Sequence, residues 1–250
     1  MIKATNICKS FEGRMVLDNV SMEMERGKVN MIIGSSGAGK SVFFKCVVGL
    51  IEADSGDVIY DDINFTKMDF KERKAVRKDI GMLFQGGALF DSQTVEENVM
   101  FPLSMFTEMS YEEKLDRVNF CLDRVNIKNS NDLFPAEISG GMKKRVAIAR
   151  AIAMKPKYLF CDEPNSGLDP STSIVIDNLI KELTEEYDMT TVVISHDMNS
   201  VIEIGDHINF IYQGKNWWSG TKEEILKTDS EEVNNFVYAS KFMKIVKNNL

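Results

Sequence analysis

The stretch "IIGSSGAGKS", residues 32–41, constrains this chain more than any other. It completes an apolar run, "VNMII" at 29–33, that reads as a buried strand, and it leads into "VFFKCVVGL", which reads as a helix over 40–50. A strand-to-helix turn of this length needs one or two glycines. Three of them, Gly34, Gly37 and Gly39, imply a backbone that something approaches closely. The spacing is G-x-x-x-x-G-K-S, running through Gly34, Ser35, Ser36, Gly37, Ala38, Gly39, Lys40 and Ser41. Successive N–H groups in such a loop form a nest for anionic oxygens, and the helix that follows adds partial positive charge. In this pattern the lysine reaches the β- and γ-phosphates of a nucleotide and the serine hydroxyl ligates Mg²⁺. The alternative is a glycine-rich turn with no ligand.

A phosphate loop by itself indicates a nucleoside triphosphate and nothing narrower. "KYLFCDEP" adds an apolar strand that ends in two carboxylates, Asp162 and Glu163. In an open α/β sheet, ligands bind at the carboxyl ends of the strands, which brings this pair to the edge that carries the phosphate loop. Asp162 suits the Mg²⁺ shell, and Glu163 is placed to orient and polarise a water for attack on the γ-phosphate. A third strand, "TTVVIS", ends beside His196, whose position on the same edge favours a γ-phosphate contact over a structural role. His207 has no such support and reads as surface or core.

Strands and helices alternate along most of the chain, so the main sheet is expected to be largely parallel. The N-terminal stretch to Ile33 reads as strands with turns, and "DVIYDDINF" as one further strand. "FKERKAVRK" reads as a short charged helix and "DIGMLF" as a buried strand. From Gln85 to Met154 the pattern is helical and looks inserted. Ser110 and Glu113 form a capping box, Leu115, Val118, Leu122 and Val125 form an apolar stripe, and a second helix runs from Gly140 to Met154. "YLFCDEP", "TTVVISHD" and "HINFIYQG" return the chain to the sheet. From Glu231 a terminal helix with a basic end, "KFMKIVKNNL", reads as solvated.

Composition removes several function classes. The net charge of −8 argues against nucleic acid as the main partner, because phosphate-backbone binding needs a basic face. The four cysteines, Cys8, Cys46, Cys121 and Cys161, have no metal-ligand spacing and read as reduced, buried thiols. The N-terminus lacks the apolar core of a signal peptide, and no run of about 18 apolar residues occurs that could span a membrane.

The run "EISGGMKKRVAIARAIAMKPKYLFCDEPNSGLDP" resembles the signature, Walker B and D-loop segments of ATP-binding-cassette (ABC) ATPases. The resemblance extends over residues 1 to about 225, with Gln85 in "LFQGG" as the Q-loop and His196 as the H-loop. It implies an α/β fold, a RecA-like P-loop NTPase core with an N-terminal antiparallel β subdomain and an inserted helical subdomain. The expected division is an ATPase domain over 1–228, with the helical subdomain at 86–154, and a helical tail over 229–250. It implies ATP and Mg²⁺ as cofactors and ATP hydrolysis as the activity. Phe11 would stack on adenine, and Gln85 would contact Mg²⁺ and the attacking water. Ser139, Gly140 and Gly141 would bind the γ-phosphate held by a second copy of the chain, making a homodimer. Two glycines behind a serine at a helix N-terminus are a second anion site, and one chain has no second phosphate to fill it. The sequence departs from the family at Met142, usually glutamine, and at Asn165, usually threonine. Both departures conserve size.

A finer resemblance lies in "GMLFQGGALFDSQTVEENVMFPL" together with the methionine of "SGGMKKR". It is similar to the ATPases of Mla-type lipid transporters. It implies an MlaE-like permease whose coupling helix sits in the groove near Gln85–Phe90, an MCE protein that carries lipid, and a peripheral position on the cytoplasmic face of the inner membrane. Of Leu89, Phe90, Val95, Val99, Phe101 and Leu103, about half are expected in the insertion's own core, with Phe90 as an anchor for the permease. The alternatives are an amino-acid or other small-solute importer, which usually carries SGGQ, and a soluble mechanochemical ABC ATPase. A non-hydrolysing ABC domain is disfavoured by the presence of Lys40, Glu163 and His196.

Overall fold

The computed structural model describes residues 1–239. Two sheets share the chain. The first is antiparallel, ordered β2-β1-β4-β5, from β1 (Ile2–Phe11), β2 (Arg14–Met24), β4 (Ser55–Tyr60) and β5 (Ile63–Asn64). The stretch expected as one strand is therefore a hairpin. Asp61 adopts a left-handed φ of 52° at its tip, so "DVIYDDINF" folds back where the two aspartates sit.

The second sheet has six strands in the order β10-β9-β3-β8-β7-β6. They are β3 (Val29–Ile33), β6 (Ile80–Leu83), β7 (Tyr158–Asp162), β8 (Thr190–Ile194), β9 (His207–Tyr212) and β10 (Lys215–Gly220). All pairings are parallel except β9 with β10, a hairpin at the edge. The β10 strand, "KNWWSG", lay beyond the strands read from sequence. His207 opens β9, and its Nε2 sits 2.8 Å from Ser219 Oγ on β10.

Helix α1 (Lys40–Val47) is shorter than the sequence suggested. Gly49 ends it with a left-handed φ of 72°, and glycine holds the position because a Cβ there would strike the Phe65 ring. Helix α2 (Phe70–Lys78) precedes β6. The inserted helices are α3 (Val95–Phe106), α4 (Tyr111–Arg124) and α5 (Gly140–Ile152). The capping box at Ser110 forms as read, and Val118, Leu122 and Val125 are buried. Helix α6 (Pro170–Glu186) covers the same face of the sheet as these helices and joins one continuous core with them. A second core lies between the antiparallel sheet, α1 and the opposite face of the main sheet.

Helix α7 (Met198–Ile204), α8 (Lys222–Ile225) and α9 (Glu231–Val237) complete the described chain. The last helix, expected to be solvated, keeps Glu231 and Asn235 exposed but packs its other side. Val233, Val237 and Tyr238 are buried, and the Phe236 ring lies 5.3 Å from that of Phe210. The basic stretch at 241–250 lies outside the described residues. All four cysteines are free, and Cys8 alone is not fully buried. No helix among the described residues is long and apolar enough to cross a membrane.

Candidate functional site

Strand register assembles the site. Ile32 pairs with Ile194, Ile194 with Asp162, and Cys161 with Leu83, so four parallel strands end at one level. Just past that level come Gly34, His196, Glu163 and Gln85. They line one cavity of about 680 Å³ with Ser35, Ser36, Gly37, Gly39, Lys40, Ser41 and Asp162.

The phosphate loop has the backbone its glycines foreshadow. Gly34, Gly37 and Gly39 take φ values of 146°, 79° and 109°, and a Cβ at Gly34 would collide with the Ile211 carbonyl. No side chain caps α1, so its first-turn N–H groups stay available to an anion. Lys40 is buried and folds back, its Nζ donating to the carbonyls of Gly34 at 2.7 Å and Ser35 at 3.0 Å. Burial lowers its pKa, opposed by the nearby Glu163 and Asp162. An arriving triphosphate offers this ammonium a better partner than two neutral carbonyls. Ala38 belongs to the loop but turns its side chain into the core.

Glu163 sits in the left-handed region at a φ of 49°, a conformation uncommon for a side-chain-bearing residue. Its N–H donates to the Ile194 carbonyl at 3.0 Å, and its Oε2 lies 2.8 Å from His196 Nδ1. The carboxylate is thus fixed from β7 and β8 at once. Asp162, one residue earlier, is half-buried. Burial first, and the charge of Glu163 second, raise its pKa. The oxygens of Asp162, Ser41 and Gln85 form a hard donor set, too sparse for a resident metal cage. No cluster of three His, Cys, Asp or Glu residues suited to a metal occurs among the described residues. That set fits Mg²⁺, which binds one or two carboxylates and completes its shell with water and substrate phosphates.

Two groups of expected residues lie apart. Phe11 is 43% exposed at the end of β1, outside the cavity wall, with Lys9 Nζ 5.4 Å from its ring centre. Ser139 caps α5, Ser139 and Gly140 are exposed, and with Gly141 they stand outside the same cavity. Met142, in place of the usual glutamine, packs its side chain against the helical core.

The sequence motifs do not single out Lys144. It is 5% exposed, and its Nζ donates to the backbone carbonyl of Gln85 and reaches that of Glu163 at 3.5 Å. It therefore ties α5 to both the Q-loop and the end of β7. The available signal was its spacing with Ala147, Ile148 and Ala151, which puts it on the buried face of the helix. Arg150 on α5 donates to the carbonyls of Gly87 and Ala88, both at 2.7 Å, and clamps the loop after Gln85.

The family profile described as ABC transporter matches residues 17–166. The chain belongs to the ABC transporter ATP-binding family, and its activity is ATP hydrolysis. It is 41% identical to the methionine import ATP-binding protein MetN of Haemophilus influenzae over 237 residues, covering 93% of this chain and 68% of that protein. It is 35% identical to the intermembrane phospholipid transport ATP-binding protein MlaF of the same species, covering 95% and 90%. Among solved structures, a dimeric post-hydrolysis state of the ATP-binding cassette MJ0796 bound to ADP and Pi superimposes with a TM-score of 0.81 at 33% identity, covering 89% of this chain and 99% of that one. The cassette cbiO1 of Clostridium perfringens, part of the transporter complex cbiONQ, gives 0.84 at 28%, covering 98% of each.

Proposed function

We propose that this chain works as a homodimer on the cytoplasmic face of the inner membrane and powers an MlaE-like permease that moves lipid with an MCE protein. The observation that carries the catalytic part is the Glu163–His196 contact at 2.8 Å, in the cavity that also holds Lys40 and Asp162. In this reading Lys40 and the α1 N-terminus bind the triphosphate and Phe11 stacks on adenine. Ser41, Asp162 and Gln85 would hold Mg²⁺, which when bound would supply positive charge against the triphosphate. Glu163 accepts a proton from the attacking water, and His196 holds Glu163 and the γ-phosphate in register. Ser139, Gly140 and Gly141 of the partner subunit cover the γ-phosphate from across the dimer. Their separation from the cavity in one chain fits that arrangement.

Glu163→Gln keeps the shape and removes the base. ATP binding should persist, turnover should fall by roughly 10²-fold or more, and Mg-ATP should trap a dimer on gel filtration. Hydrolysis at the wild-type rate would remove Glu163 from this role.

The lipid reading rests on the "GGALFDS" loop and on likeness to MlaF. The higher identity to MetN favours a second reading, import of methionine or another small solute. The chain is to be purified with its permease, reconstituted in proteoliposomes, and assayed for ATP-driven transfer of fluorescent phospholipid and for uptake of labelled methionine. Lipid transfer without uptake supports the first reading, and uptake without lipid transfer overturns it.

A further inference from the structure

A second cavity, of about 500 Å³, opens at the amino ends of β3, β7 and β8, the edge of the sheet away from Lys40. Its walls come from both halves of the molecule. Phe120 belongs to α4 and Ile152 to α5, while Tyr158 starts β7 and Tyr187 and Met189 lead into β8. These side chains make it mainly apolar.

The charges around it are unevenly matched. The Met1 ammonium pairs with Asp61 at 2.7 Å, Arg26 with Asp188 at 2.8 Å, and Lys157 with Asp79 at 2.9 Å. Arg117 and Lys155 form no ion pair among the described residues, yet both line the cavity. Arg117 is held rigid by donating to the carbonyls of Ile152 at 2.8 Å and Ala153 at 2.9 Å, with its guanidinium 4.9 Å from the Phe120 ring centre. Only two of its five N–H donors are used in this way. A positively charged, mainly apolar hollow is poorly matched to water alone.

We propose that this cavity binds an amphipathic anion, an apolar body seated against Phe120, Ile152 and Tyr187 with its carboxylate or sulfonate on Arg117 and Lys155. The site is separate from the nucleotide cavity and independent of which solute the transporter moves. Because α4 and α5 form one wall and the sheet the other, an occupied cavity ties the helical insertion to the core.

The test is a fluorescence titration of the full chain with 8-anilinonaphthalene-1-sulfonate, a flat apolar anion. Wild type should show saturable one-site binding that ATP does not displace. Lys155→Gln alters an exposed side chain and should weaken binding several-fold. The double variant with Arg117→Gln should weaken it by about tenfold or more, the scale of a lost charge-assisted contact. Melting curves separate loss of the site from loss of the fold, and the Lys155→Gln result stands if the double variant fails to fold. Decanoate and benzoate then compete against the probe: displacement by decanoate alone points to a lipid-derived ligand, displacement by benzoate to a soluble aromatic acid, and either supports the site. The proposal is overturned if wild type shows no saturable binding, if Lys155→Gln and the double variant bind as wild type does, if ATP displaces the probe, or if inorganic phosphate competes as well as decanoate does.

Discussion

Asn165 stands where the family usually has threonine, and its surroundings explain what the amide does. Its Nδ2 donates to Asp177 Oδ1 at 2.8 Å and to Ser200 Oγ at 2.9 Å. A threonine hydroxyl has one proton and could not serve both. The bond matters because Asp177 is 3% exposed. Burial pushes its carboxyl up to about 6, opposed by hydrogen bonds from Ser200 and Asn165. An unfolded aspartate titrates near 4. Between those values the folded chain holds more protons than the unfolded one, so this group makes stability fall as pH rises from about 4 to about 6 and then level off. The full drop is on the order of 3 kcal/mol. Asp177→Asn should remove that slope. Urea midpoints of the two proteins should therefore diverge between pH 4.5 and pH 7, with the variant gaining relative to wild type. Parallel pH profiles would show that Asp177 does not carry the effect.

At the scale of elements, the loop from Gly86 to Thr94 is held by few but strong ties. Asn98 on α3 is fully buried, accepts from the Phe90 N–H at 2.8 Å, and donates to the carbonyls of Phe90, Gln93 and Thr94. Asn98→Ala strips the loop of all these bonds and should cost about 2–4 kcal/mol in denaturant unfolding. A loss under 1 kcal/mol would mean that Arg150 and the loop's own backbone bonds suffice to fix it. The same element tests the permease contact. Val95, Val99 and Leu103 are core, whereas Phe90 and Phe101 are 41% and 37% exposed and pair with ring centres 4.8 Å apart. Phe90→Asp should leave the melting curve of the free subunit intact and abolish co-purification with the permease, since the contact would bury an unpaired carboxylate. Normal co-purification would put the groove elsewhere. This element also shows what a sequence can carry. Apolar spacing told Val118 and Leu122 from solvent, and the capping box at Ser110 is written in two letters. The glycine pattern announced the phosphate loop because torsion and residue type are coupled at each position. Lys144 and the Glu163 torsion are not legible, because each depends on a carbonyl or strand that the fold brings from elsewhere in the chain, and Asn98 is not legible because its bonds to Phe90, Gln93 and Thr94 need a loop shape that residue types alone do not specify.

At the scale of the whole molecule, two cores are stacked on opposite faces of one six-stranded sheet, and the carboxyl ends of its strands bring Lys40, Gln85, Asp162, Glu163 and His196 to one cavity. The sheet's order carries a consequence for biosynthesis. Strand β8 lies between β3 and β7, with Val29 paired to Thr191 and Tyr158 to Thr190. A chain emerging from the ribosome holds its phosphate loop early and its filler strand late. At about 5–20 residues per second, on the order of ten seconds or more separates the two. Throughout that interval β3 lacks its β8 neighbour, and once β7 has been made its edge is open too and Glu163 lacks the Ile194 carbonyl and the imidazole that fix it. On the role proposed for Glu163, the nascent polypeptide could not burn ATP before most of it has been made, and its exposed strand edges would make it a client for chaperones until β8 arrives.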